Sequence, residues 1–335
     1  MFRVAVVGAT GAVGGTMLRV LEERGFPVSE LRPLASARSV GRELEYLGQL
    51  KPVAELTESS FEDIDVALFS AGATRSRAFA PAAVEAGAVV IDNSSAYRMD
   101  PEVPLVVPEV NEQALAGHAG IVANPNCVAA PLVVALKPIM DAVGLERVTV
   151  SSYQAVSGTG LGAIEELRHQ AGEVLAGGEA EPSVYPHQIA FNVLPHIDRF
   201  EESGYTGEER KVMEETRKML GLPELPISAT CVRVPVVHGH SESVTIETAE
   251  AIDPDQVRSL LMTAPGVALV DEPAYNRYPM PIEAAGRDEV LVGRIRRDES
   301  HPRGLALWLS SDNLRKGAAT NAVQIAESIV TNGWL

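Results

Sequence analysis

The chain has 335 residues, enough for two packed domains, and 46% are hydrophobic against 22% charged, the balance of a globular protein. A formal charge of −17 excludes nucleic acid and anionic membrane as partners, and no run approaches the roughly 18 consecutive apolar residues that span a bilayer. The two cysteines, Cys127 and Cys231, lie too far apart for CxxC chemistry and are too few for a disulfide scaffold. Arg3 is followed by only a short apolar run ending in a glycine-rich turn, which is no secretory signal, so the expected compartment is the cytoplasm.

The first half alternates strand and helix. Phe2–Val7 reads as a buried strand, Gly11–Glu23 as a helix, and a second strand ends near Ala35. Asp65–Ser70 and Ala88–Ile91 are further strands with a helix over Arg75–Ala86 between them; Ile121–Ala123 is a last strand and Val128–Ala142 a helix. Short apolar strands separated by helices predict a doubly wound parallel sheet. From about residue 146 the strands lengthen and alternate in polarity: Arg147–Ala155, Ala229–Val236, Ser243–Ala249, Glu289–Arg296 and Leu305–Leu309. They predict a mixed or antiparallel sheet, with helices at Ala163–Leu175 and Glu208–Leu220. The stretch from Ala176 to about Ser203 reads as a long irregular connection, a candidate interface or lid. Arg315–Val330 is helical again and is expected to return to the first domain.

Gly8-Ala-Thr-Gly-Ala-Val-Gly14 lies between the first strand and the first helix. Glycines there let the backbone approach a pyrophosphate resting on the helix N-terminus. Gly8, Thr10, Gly11, Ala12 and Val13 are therefore candidate cofactor contacts, although the spacing is GxxGxxG rather than GxGxxG. A tight turn with no ligand is the alternative. The second strand ends in Ala35-Ser-Ala-Arg-Ser39 with no acid for a ribose hydroxyl. Ser36, Arg38 and Ser39 can instead donate to a 2′-phosphate, which points to NADP.

Asn124-Pro-Asn-Cys127 runs into the apolar helix beginning at Val128. A thiol at a helix N-terminus feels the macrodipole and unsatisfied N–H groups, which favour thiolate and can steady an oxyanion. Cys231, in the alternating run Ala229–Val234, fits the competing reading of a buried structural cysteine. His238 and His240 without a third ligand make a poor zinc site, so no metal is expected.

Gly8–Gly14, Asn124–Cys127, Gln154-Ala-Val-Ser-Gly158 and Arg233-Val-Pro-Val-Val-His-Gly-His240 occur in this order, and the chain resembles the bacterial aspartate-semialdehyde dehydrogenase family over essentially its whole length. The resemblance implies an α/β fold: a Rossmann-type NADP-binding domain over 1–126, completed by 312–335, and an α+β catalytic and dimerisation domain over 127–311. It implies NADPH-dependent reductive dephosphorylation of L-aspartyl-4-phosphate to L-aspartate 4-semialdehyde and phosphate, feeding lysine, threonine and methionine synthesis, in a homodimer. In that scheme Cys127 is the nucleophile, His240 the acid/base, and Gln154 orients the substrate. Arg233 clamps the α-carboxylate, Glu208 meets the ammonium, and Lys211 and Arg98 hold phosphate beside Asn126. Ser157, Gly158 and Asn313 approach the cofactor, and Ser94 and Ser95 line its channel. From position alone, Glu208 and Lys211 equally read as a solvated i,i+3 ion pair. Two other functions stay open: a different acyl-phosphate reductase, such as an N-acetylglutamyl-phosphate reductase, and a non-catalytic NADP-binding redox sensor using Cys127.

Overall fold

The computed structural model describes all 335 residues and divides them into two compact units: Met1–Asn126 with Ala318–Leu335, and Cys127–Gly317. In chain order the first holds β1 (Phe2–Val7), α1 (Ala12–Glu23), β2 (Val28–Ala35), β3 (Glu43–Tyr46), β4 (Gln49–Pro52), β5 (Ala54–Glu55), β6 (Val66–Phe69), α2 (Ala73–Glu85), β7 (Val89–Asp92), α3 (Pro108–Asn111) and β8 (Ile121–Ala123). The second holds α4 (Ala129–Val143), β9 (Leu145–Gln154), α5 (Leu161–Leu175), α6 (Gly207–Leu220), β10 (Ile227–Arg233), β11 (His240–Thr248), α7 (Pro254–Met262), β12 (Val267–Leu269), α8 (Pro281–Ala284), β13 (Val290–Arg297) and β14 (Gly304–Ser311). The last helix, α9 (Thr320–Asn332), belongs to the first unit.

In the first unit six strands form a sheet in the order β5-β2-β1-β6-β7-β8, every pair parallel. A central parallel strand is buried on both faces, which is why Val4–Val7 and Val66–Phe69 are continuous apolar runs. One face packs Val4, Val6, Leu68 and Ile91 against Met17 and Leu21 of α1 and Ala322, Ile325 and Ile329 of α9. The other packs Val7, Ala67 and Phe69 against Phe61 and against Ala80 and Ala83 of α2. Consecutive connections leave β1 first toward β2 and later toward β6. The turn after β1 therefore stands at the topological switch point, where a cleft opens beyond the strand ends.

The second sheet runs β10-β9-β11-β14-β13-β12, parallel at β10–β9 and β12–β13 and antiparallel elsewhere. Along β11, His240, Glu242, Val244, Ile246 and Thr248 are buried, while Ser243, Thr245 and Glu247 are half-exposed. That is the period-2 signature of a sheet with one covered face. The doubly wound first sheet, the mixed second sheet and the returning C-terminal helix all agree with the reading of the sequence.

Three features depart from it. β3 and β4 form a hairpin that sequence analysis did not anticipate; its two turn residues, Leu47 and Gly48, both take positive φ, and a leucine gives no warning of that. α7 was also missed, although Asp253 caps it, Pro254 opens it and Gln256 completes a capping box. Arg315–Val330 is helical as expected, but its first turn, Arg315–Ala319, is a π-turn leading directly into α9.

The irregular stretch after α5 is stitched down. Glu166 accepts the N–H groups of Ser183 and Val184, and Gln170 accepts those of Ile189 and Ala190.

Candidate active site

The cofactor cleft is made mostly of backbone. Gly8 has φ +84, and a Cβ there would stand 2.4 Å from the Ser70 carbonyl oxygen; a Cβ on Gly14 would stand 2.2 Å from Gly8 O. Only glycine lets β1, β6 and α1 approach this closely. The N-cap of α1 is Gly11, which has no side chain to cap the first N–H groups, leaving them available to an anion. The cleft is lined by Gly8, Thr10, Gly11, Ser36, Arg38 and Ser39, all anticipated, and by Ser70 and Arg75, which were not. Ala12 and Val13 begin α1 behind it. Arg75, in the first turn of α2, has a side chain bonded to Ala71 O. Its position follows from tertiary approach, and no local pattern announces it. Two cations, Arg38 and Arg75, line the cleft, and no carboxylate does.

Ser94 and Ser76 donate to the fully buried carboxylate of Asp92. Arg98 is buried, with Nε on Asn124 O and Nη2 on Asn93 O. Asn126 is buried immediately before Cys127.

Cys127 occupies a turn two residues ahead of the first residue of α4 and is partly exposed, whereas Cys231 is buried. Gly317, in the π-turn, lies flush against it: a Cβ there would stand 3.0 Å from Cys127 Cβ and 3.1 Å from its carbonyl oxygen. Burial, then the charge of Glu208, raises the Cys231 thiol, so that cysteine stays protonated.

Three residues distant in sequence meet at one end of the mixed sheet. Register pairs Arg233 of β10 with Gln154 of β9, and Ser241, next to His240, with Tyr153. One residue then holds two of the functional groups. Ala155 N–H donates to His240 Nδ1 at 3.0 Å, and Ala155 O accepts from Arg233 Nη1 at 2.7 Å. His240 Nε2 and Arg233 Nε are buried and have no partner. Both side chains converge on Gly158, where a Cβ would lie 3.2 Å from Arg233 Nη1 and 3.3 Å from His240 Nε2.

The Ala155 bond fixes the imidazole as the tautomer with hydrogen on Nε2. Burial, then the neighbouring Arg233, pulls its pKa well below the usual histidine value, so it is neutral at physiological pH. His240 is the first residue of β11 and 1% exposed.

Gln154 donates to Glu208 Oε1 at 3.2 Å, and Lys211 donates to Glu208 Oε2 at 3.3 Å. Thr206 and Glu209 cap α6 reciprocally, and Glu209 also accepts the Cys231 N–H, which locks α6 onto β10. Lys211 makes a second ion pair, to Asp198 at 2.6 Å. Burial opposes the ammonium, but Glu208 and Asp198 outweigh it and raise its pKa. Asp198 lies in the irregular connection and had no periodic signal. Asn313 bonds Ser157 and accepts Gly239 N–H, tying the Gly158 turn to the segment that carries His240. No three His, Cys, Asp or Glu side chains gather in a metal-binding arrangement.

Residues 3–118 match the family model described as semialdehyde dehydrogenase, NAD binding domain, and residues 136–316 match the one described as semialdehyde dehydrogenase, dimerisation domain. With the glycine cleft and the cysteine turn, these matches make the chain an oxidoreductase of the semialdehyde dehydrogenase class, carrying an NAD(P)-binding domain. The aspartate-semialdehyde dehydrogenase of Aquifex aeolicus is 56% identical, over 100% of this chain and 99% of that relative. That of Legionella pneumophila is 54% identical, over 97% and 94%. A crystal structure of aspartate semialdehyde dehydrogenase II from Vibrio cholerae, complexed with ASA, matches with TM-score 0.95 and 49% identity, over 99% of this chain and 98% of that one. The Candida albicans enzyme with NADP matches with TM-score 0.78 and 26% identity, over the full length of both chains. This chain belongs to the aspartate-semialdehyde dehydrogenase family. No helix is long and apolar enough to cross a membrane.

Proposed function

We propose that the protein reduces L-aspartyl-4-phosphate to L-aspartate 4-semialdehyde with NADPH, through a thioester on Cys127. The observation that carries this reading is the suspension of His240 and Arg233 from the N–H and the carbonyl of one residue, Ala155, with both side chains lying against Gly158. Such a cluster offers one N–H to a carbonyl oxygen and one guanidinium edge to a carboxylate.

The Cys127 thiolate attacks the acyl carbon, the C–O bond to phosphorus breaks, and phosphate leaves with the electron pair. Bound NADPH supplies hydride to the thioester carbonyl. His240 Nε2–H donates a hydrogen bond to the oxygen as it becomes negative and keeps its proton; when the carbonyl re-forms, the C–S bond breaks and the thiolate departs. Low basicity suits this role, because the ring stays neutral and presents its single N–H as a donor.

Arg233 takes the α-carboxylate, Glu208 the ammonium, and Gln154 orients the substrate. Phosphate is assigned to Lys211, held as an ammonium by its two carboxylates, and to Arg98 with Asn126. The Gly8–Val13 loop holds the pyrophosphate, and Ser36, Arg38, Ser39 and Arg75 hold the 2′-phosphate, which favours NADP. Ser157, Gly158 and Asn313 complete the cofactor contacts.

The outer face of the mixed sheet, with the Tyr153 and Trp308 rings tilted against each other, suits a second copy of the chain, as the dimerisation domain of the matching family suggests. The product feeds lysine, threonine and methionine synthesis in the cytoplasm.

The test is NADPH formation from NADP and L-aspartate 4-semialdehyde, with and without phosphate. Sustained turnover only with phosphate is expected. Faster turnover of N-acetylglutamate semialdehyde would reassign the substrate, because Glu208 has nothing to pair with on an acetylated amine.

A further inference from the structure

The stitched segment after α5 delivers one side chain to the substrate cluster. Glu166 and Gln170 are both buried on α5. Glu166 holds Ser183 and Val184, and Gln170 holds Glu181 O, Ile189 and Ala190, so the chain is pinned on both sides of Tyr185. Leu194 then exchanges two main-chain hydrogen bonds with Arg233, at 2.9 and 2.8 Å. The half-buried Tyr185 ring packs against the apolar cluster that includes Val156, Ile164 and Leu167, and Arg233 Cζ lies over the ring, 5.8 Å from its centroid. Its hydroxyl donates to Thr159 Oγ1 at 2.9 Å, at the end of the turn that carries Gly158.

Arg233 is thus restrained from two directions. Ala155 O accepts from Nη1, and the Tyr185 ring lies under Cζ. What remains is the edge bearing Nε, buried and unpartnered. A carboxylate accepts two parallel N–H bonds from one such edge only if the plane is fixed.

We propose that Tyr185 is a positioning residue for the substrate α-carboxylate: by stacking on Arg233 it fixes the guanidinium plane so that the edge bearing Nε receives that group. The proposal rests on the carboxylate role of Arg233 given above. Burial raises the Tyr185 pKa, so its hydroxyl remains a donor to Thr159 across the neutral range.

The test compares L-aspartate 4-semialdehyde with 3-aminopropanal, the same aldehyde without the carboxylate, in the full-length enzyme with NADP and phosphate. Tyr185→Leu is expected to raise KM for the natural aldehyde roughly tenfold, with kcat changed less than about threefold, and to leave kcat/KM for 3-aminopropanal within about twofold. Tyr185→Phe keeps the ring face and should stay within about threefold of the parent on both aldehydes. Equal losses of Tyr185→Leu on both aldehydes would reduce Tyr185 to a structural residue and overturn the proposal. So would an unchanged KM in Tyr185→Leu when Arg233→Lys raises it. An unchanged KM in Arg233→Lys would instead overturn the carboxylate role on which the proposal rests.

Discussion

The cofactor cleft and the catalytic cluster are built by opposite means. In the first unit the chain makes room by omission: glycines at 8, 11 and 14 remove side chains so that main chain and helix N-terminus form the surface. In the second unit the surface is made of side chains, each fixed by a partner far away in sequence: His240 and Arg233 by Ala155, Glu208 by Gln154, and Lys211 by Asp198. A site made of backbone tolerates changes in neighbouring side chains and fails when a Cβ is added. A site made of positioned side chains fails when one donor is lost. The two units should therefore respond differently to the same kinds of substitution, and that difference can be measured.

The largest effect is expected at His240. His240→Asn removes the Nε2–H donor and should lower kcat by about 10²–10⁴-fold while the thermal melt stays cooperative. A loss below about tenfold would mean that backbone groups, not this side chain, steady the oxygen. The pH profile sharpens the point. Because native His240 is neutral well below its usual value, kcat/KM should show no inflection near about 6.5 from this residue.

Gly158→Ala tests a place where the catalytic unit also works by omission. Its Cβ would enter the space shared by Arg233 Nη1 and His240 Nε2 and should raise KM for the semialdehyde roughly tenfold. An unchanged KM would show that the substrate does not occupy that space.

In the cofactor cleft, the proposed 2′-phosphate role of Arg38 predicts that Arg38→Ala raises KM for NADP by roughly tenfold and leaves that for NAD within about twofold. Equal changes for both cofactors would assign Arg38 to the cleft wall rather than to the phosphate.

The smallest effect concerns stability. Glu242 follows His240 by two residues on the same covered face of β11, and burial raises its carboxyl well above the ordinary range. The native state then holds a proton that the unfolded chain releases above about pH 4.3, so this group costs stability as pH rises from there toward its native value. His240 acts in the other direction: below about pH 6.5 the unfolded chain takes up a proton that the native state refuses, so stability falls as pH falls. In Glu242→Gln the melting temperature relative to the parent should climb by a few degrees between about pH 5 and pH 8. A constant difference across that range would mean that Glu242 is ionised in the folded protein.

What could be read from the sequence follows the same division. The strand Phe2–Val7, the glycine loop and the cysteine turn are contiguous, so their spacing alone carried the geometry. Helix α6 was legible because its apolar face and its Thr206–Glu209 cap are local. Arg75, Asp198, Gly317, Tyr185 and the double role of Ala155 were not legible, because each acts across a register or a tertiary approach that no short window contains. The 43–52 hairpin escaped for a different reason: its turn places a leucine at positive φ, which propensity argues against.

The central claim is that Cys127 becomes acylated. It is tested most directly by mixing the protein with NADP and L-aspartate 4-semialdehyde in the absence of phosphate and locating any adduct by peptide mass spectrometry. The account predicts one burst equivalent of NADPH and an aspartyl group on the Cys127 peptide, discharged when phosphate is added. Continued phosphate-dependent turnover with an unmodified Cys127, or with full activity in Cys127→Ala, would contradict it.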